Sequence, residues 1–297
     1  QAAVAMNAAR ITTTSDVLID ADANDAANTG PITMSVGGLV TADDLVLNSD
    51  LGTTLNTSVN TIAAVNETGG NIVINEANGL TLASFTNTAG NVNVTLALGA
   101  ITLGNSTVGG NLTVSAVGPI TDSGNLSVTG LASFSSGANP ITLGSAGETT
   151  NFGSVSFVSS GAVSISEDSA TIIGGGASSS AASLTLTSAG TITQTQPLLI
   201  TGATSLNTLG NGVTLTLAGN DFGSLTVPSA GSVSITDLDD IILNGINLAG
   251  NLQVTTANGP ITVNGPVIVN GGGVTLTATD VADAPALIHD ITVNGII

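Results

Sequence analysis

The chain has 297 residues, 38 of them glycine, with no Cys, Trp or Tyr and five Phe, which excludes a disulfide framework and a core built mainly on aromatic side chains. Twenty Asp and Glu face a single Lys or Arg, Arg10, for a formal net charge of −19. A nucleic acid partner or an anionic lipid surface is therefore not expected, since both need clustered cations. No transmembrane helix is expected either, because Gly, Thr or Asn interrupts every apolar run well short of about 20 residues.

Residues 1–30 are the least repetitive part and read as an N-terminal cap or assembly segment. Strand-like Ile11-Thr12-Thr13-Thr14 and Val17-Leu18-Ile19 run there into the acidic Asp20-Ala21-Asp22-Ala23-Asn24-Asp25. Residues 31–297 read as one solenoid. Between 31 and 62 short strands recur without a clean register, which predicts coils carrying loops.

From residue 69 one phrase returns at a fixed spacing of 20 residues. Gly69-Gly70-Asn71-Ile72-Val73-Ile74 becomes Ala89-Gly90-Asn91-Val92-Asn93-Val94 and then Gly109-Gly110-Asn111-Leu112-Thr113-Val114. Glycine and asparagine supply a turn, and the alternating residues after them supply a strand with one apolar face. Stacked in register, the coils place Ile72, Val92 and Leu112 in one inward ladder and Asn71, Asn91 and Asn111 in an asparagine ladder at a corner. A second phrase, Leu80-Thr81-Leu82, Ile101-Thr102-Leu103 and Ile120-Thr121, gives each coil of the regular region 69–130 a further strand.

Residues 131–212 drift, and clusters such as Ser135-Ser136-Gly137 and Gly174-Gly175-Gly176-Ala177-Ser178-Ser179-Ser180 read as loops between strands. Regularity returns over 213–280, where Val213, Val233, Leu252 and Val274 begin similar strands. The coil at Asn251 shows three strands, 252–254, 261–263 and 267–269, separated by Asn-Gly-Pro turns. The expected fold is all-β, a parallel β-helix solenoid of about 20 residues per coil and roughly triangular section. Phrases such as Ala249-Gly250-Asn251-Leu252-Gln253-Val254 and Gly259-Pro260-Ile261-Thr262-Val263-Asn264-Gly265 resemble the repeat region of filamentous haemagglutinin-like exoproteins and autotransporter passengers. That resemblance implies right-handed winding and a place on a bacterial surface.

Catalysis is not expected, and no catalytic residue is assigned. Lyase chemistry on a β-helix is expected to need Lys or Arg to neutralise a uronate and a base to take its proton, where this chain has one Arg, and no Trp or Tyr offers a sugar platform. Calcium is the candidate ion, because hard oxygen ligands gather at Asp237, Asp239 and Asp240; no other cofactor is expected. His289, the only histidine, reads as a solvated side chain. Outward Thr216, Thr236, Thr255 and Thr277 form a second candidate ladder.

The closing Ile291-Thr292-Val293-Asn294-Gly295-Ile296-Ile297 repeats the wording of 261–267. It suggests that Ile291, Val293, Ile296 and Ile297 of one copy meet Ile11, Val17 and Ile19 of another, giving a head-to-tail homopolymer. The functional expectation is an extracellular structural fibre, stalk or adhesin segment on the outer cell surface. The alternative is a carbohydrate- or ice-binding module presenting a ladder face, with surface glycans among its partners.

Overall fold

Alternating small aliphatic and polar residues, punctuated by glycine, satisfy their backbone groups by pairing with the neighbouring coil. The computed structural model describes residues 4–6, 10–21, 30–66, 69–145, 147–279 and 291–293, and among these the regular elements are strands. The fold is a parallel β-solenoid with a coil-to-coil spacing of about 21 residues. The chain divides into two units, Gln1–Gly153 and Ser154–Ile297.

In the first unit the repeated phrase stacks as expected. Val92 pairs in parallel with Ile72 on one side and Leu112 on the other, and Leu112 pairs with Ala132. The second phrase forms its own column, Leu80 to Ile101 to Ile120 to Ile141. Ile72, Ile74, Val92, Val94, Leu112 and Val114 are buried, whereas Asn93 and Thr113 are exposed and Val73 is half-buried. Stretch 31–62, irregular by sequence, is in register: Ile32 pairs with Thr53 and Leu45 with Ile62, at shorter or longer spacings than the core. Register there is set by the partner strand, and the variable turns take up the difference in length.

In the second unit Val213, Val233, Leu252 and Val274 stack in one column. The coil from Leu252 carries the three expected strands, Leu252–Thr256, Ile261–Val263 and Val267–Val269. The serine clusters differ from the sequence reading. Ser135, Ser136 and Gly137 close the strand Leu126–Gly137 in the first unit, and Ser179 and Ser180 belong to Ser179–Ala181 in the second. Serine is small enough to sit inside a narrow coil, and its hydroxyl bonds locally: Ser136 donates to the Asn139 carbonyl, and Ser179 Oγ accepts the Phe157 N–H.

All five phenylalanines are buried, Phe85, Phe134 and Phe152 in the first unit and Phe157 and Phe222 in the second. Phe134 and Phe152 lie with ring centroids 5.9 Å apart at 55°, a favourable tilted contact. The tight stacking leaves no room for a side chain at certain corners. A Cβ on Gly90 would lie 1.5 Å from the Gly70 carbonyl oxygen.

Leu112 is 3% exposed, so Leu112→Asp should lower stability by about 4 kcal/mol or more by burying an unpaired charge. Thr113→Asp, on the exposed face, should cost less than about 1 kcal/mol. Urea unfolding of the two variants checks the contrast, and equal midpoints would contradict the inward and outward assignment.

Candidate functional site: the asparagine corner and the strand-end carboxylates

The asparagine ladder is present and works by joining side chain to backbone. Asn71 Oδ1 accepts the Asn91 N–H at 3.0 Å, Asn91 Oδ1 accepts the Asn111 N–H at 2.8 Å, and Asn111 Oδ1 accepts the Leu131 N–H at 2.8 Å. The main chain runs the opposite way, with Ile72 N–H to Asn91 O and Val92 N–H to Asn111 O. The rungs to Asn91 and Asn111 therefore satisfy turn N–H groups that strand pairing leaves over, and the third reaches Leu131 within the strand Leu126–Gly137. A parallel column links Asn105, Asn125 and the Thr149 N–H. In the second unit Ser232 Oγ accepts the Asn251 N–H, and Asn251 Oδ1 accepts the Gly273 N–H. Asn71, Asn91 and Asn111, with Val73, Asn93 and Thr113, line a shallow open groove without a charged residue.

A second feature was missed by the sequence reading. Glu76, Asp122, Glu167 and Asp237 are each the last residue of a strand, and each is buried. Alternation carries them inward where the chain turns, and most reach a backbone group close by. Glu76 accepts the N–H groups of Val59 and Asn78, and Asp237 accepts those of Phe222 at 2.8 Å and Asp239 at 3.0 Å. Ser188 and Thr256 hold the same strand-end position and also bond the turn that follows. Bonding two residues onward is the ordinary geometry of short polar side chains at turns. The visible signal was the period itself: Ile72, Ile74, Glu76 and Val233, Ile235, Asp237.

Burial raises the proton affinity of these acids. Asp237 is pushed up to about 7, by desolvation first and by the carboxylates of Asp239 and Asp221 after it, against two opposing backbone hydrogen bonds. Desolvation likewise raises Glu76, against bonds from Thr57, Asn78, Val59 and Ala77. Asp239 is raised by partial burial and by Asp221 and Asp240.

The three aspartates considered for calcium are not brought together as ligands. Asp237 faces inward and caps the turn, Asp239 and Asp240 lie in that turn, and among the described residues no group of three or more His, Asp or Glu is arranged to hold a metal. The acidic stretch beyond Ala21 and His289 lie outside the described residues. Thr236, Thr255 and Thr277 are stacked in register. Of the residues considered for assembly, Ile11, Val17 and Ile19 pair with Val40, Leu45 and Leu47, and Ile291 and Val293 pair with Ile261 and Val263. Ile19 is buried and Ile291 is 44% exposed, while Ile296 and Ile297 lie outside the described residues.

Residues 89–159, 160–228 and 230–284 match, as three successive copies, the family described as Repeats of unknown function (DUF5649). The chain belongs to this family. Each copy of the DUF5649 repeat spans several coils, so the family unit is a block of coils and not the 20-residue phrase alone. Comparison with curated proteins and with solved structures gave no match.

Asn91→Ala should cost about 1 kcal/mol by removing the acceptor of the Asn111 N–H, whereas Asn91→Ser should retain much of the stability, since Ser232 serves in that role. Urea midpoints of the two variants test this. For Asp237 the folded-state pKa lies above the unfolded value, so protonation favours the folded chain. Its contribution is complete below about pH 4 and is lost as pH rises through about 7. The melting temperature should therefore fall between pH 5 and pH 8. Asp237→Asn keeps one of the two acceptor oxygens, so it should be less stable at pH 5 and show a smaller fall.

Proposed function

We propose that this chain is a structural segment of an extracellular surface protein, a spacer, stalk or fibre unit whose coils stack end to end. The observation that carries the reading is the use of its polar side chains: the asparagine rungs and the strand-end acids bond the backbone of their own or the next coil. Side chains committed in this way lock coils to one another and hold turns. Among the described residues, Val4–Met6, Arg10–Thr12 and Val17–Asp20 each pair along one edge, as do Val267–Val269, Val274–Ala278 and Ile291–Val293. An end-to-end stack would extend these columns by the same parallel pairing that joins coils within each unit. The resemblance to haemagglutinin-like exoproteins supports a surface location, and so does a charge of −19 with one basic residue besides histidine.

A second reading rests on the uncharged groove along Asn71, Asn91 and Asn111 and on the threonine column, which suit a neutral glycan or an ice surface. The two readings part on self-association. Under the structural reading, electron microscopy and sedimentation should find assemblies that lengthen with protein concentration. Particles that stay single at every concentration, yet are retained on a neutral polysaccharide or retard ice growth, would favour the second.

A further inference from the structure

The corner after the strand Ile120–Asp122 differs from those that hold Glu76 and Asp237. Glu76 and Asp237 each use both carboxylate oxygens as acceptors of backbone N–H groups. Asp122 is 9% exposed and uses one, Oδ2, which accepts the Gly144 N–H at 2.7 Å. Its Oδ1 is shielded from solvent and has no hydrogen-bond partner. Glu148 lies in the turn that follows Gly144, its N–H donating to the Ser145 carbonyl, and its Oε2 is likewise shielded and without a partner. The two carboxylates are electrostatic neighbours: burial first, and Glu148 after it, raise the proton affinity of Asp122.

Two neighbouring carboxylates, each with a solvent-shielded oxygen outside any side-chain hydrogen bond, are relieved either by a proton or by a compensating cation. The polypeptide has almost none to offer, since Arg10 and His289 are its only basic side chains. Arg10 is exposed and lies in the strand Arg10–Thr12, paired with Leu39–Thr41. A compensating cation would therefore come from solution. Hard carboxylate oxygens select a hard cation, and calcium accepts six to eight oxygens in irregular geometry, whereas magnesium demands a near-ideal octahedron and retains its waters.

We propose that Asp122 and Glu148 form a calcium site, with Asp122 Oδ1 and Glu148 Oε2 as its carboxylate ligands. Two carboxylates rather than three or four place the affinity in the weak range of extracellular modules, about 10⁻⁴ to 10⁻³ M. The site is separate from the Asp237 corner, whose oxygens are already engaged by the backbone.

The test is calorimetric titration of the intact, chelator-stripped chain with calcium chloride, together with its melting temperature in millimolar calcium and in chelator. One weak site and a higher melting temperature in calcium are expected. Both should disappear in Asp122→Asn and in Glu148→Gln, and both should persist in Asp237→Asn. Glu148 is half-buried in a turn, so Glu148→Gln serves as the folded variant if Asp122→Asn does not fold. Absence of calcium binding in the wild-type chain, or unchanged binding in Glu148→Gln, overturns the proposal. A wild-type chain that ignores calcium but gains stability on acidification, with the gain lost in Glu148→Gln, overturns it too, because a shared proton then fills the gap.

Discussion

Parallel strands stacked at the hydrogen-bonding distance, about 4.8 Å, oblige every position in one coil to fit directly over its counterpart in the next, and the other features of both units follow from that obligation. A corner that must pass within contact of the backbone above cannot carry a side chain, as at Gly90 over Gly70. A turn N–H left out of the strand ladder needs an acceptor that repeats at the same interval, which Asn71, Asn91 and Asn111 provide. The interior is narrow, so it is filled by Val, Ile and Leu in columns, with Phe admitted at five places.

The same obligation explains the buried acids. Period two does not distinguish isoleucine from glutamate, and a strand that runs one inward position too far delivers a polar group to the corner. Glu76 and Asp237 turn this to use by capping the backbone that follows. The chain's poverty in cations means that these carboxylates are not offset by salt bridges. They are held by N–H donors and are raised toward the neutral form by desolvation.

Much of this was legible in the sequence because its signals have direct geometric meaning. A 20-residue recurrence of Gly-Asn followed by alternating aliphatics fixes both the stacking of Ile72, Val92 and Leu112 and the corner position of Asn71, Asn91 and Asn111. Ser135-Ser136 and Ser179-Ser180 were opaque for a physical reason. Serine has no hydrophobic face to mark its direction, so strand or loop is decided by the neighbouring coil, as where Ser135 lies beside Ser115 and Ser180 beside Leu199. Asp237, Asp239 and Asp240 look like one cluster in sequence, yet alternation sends the first inward and leaves the others in the turn. Strand-end capping by Glu76 and Asp237 was available from the same alternation and was obscured by the habit of reading acids as surface.

Because each strand pairs with a strand about one coil away in sequence, the contacts that define the fold in either unit are of modest range, as in Leu45 to Ile62 and Ile261 to Ile291. No pairing described within a unit has to wait for distant parts of the chain to meet. Such a chain can begin folding at any coil regular enough to hold its neighbour, and then grow by laying down one coil at a time against a finished edge. The Asn71 to Asn111 region, with its rungs and columns all in register, is suited to be such a starting point. Addition of a coil closes a loop whose entropy changes slowly with length, so coil-to-coil spacings of 19, 20 and 22 residues are all admitted in the column from Val213 to Val274 of the second unit.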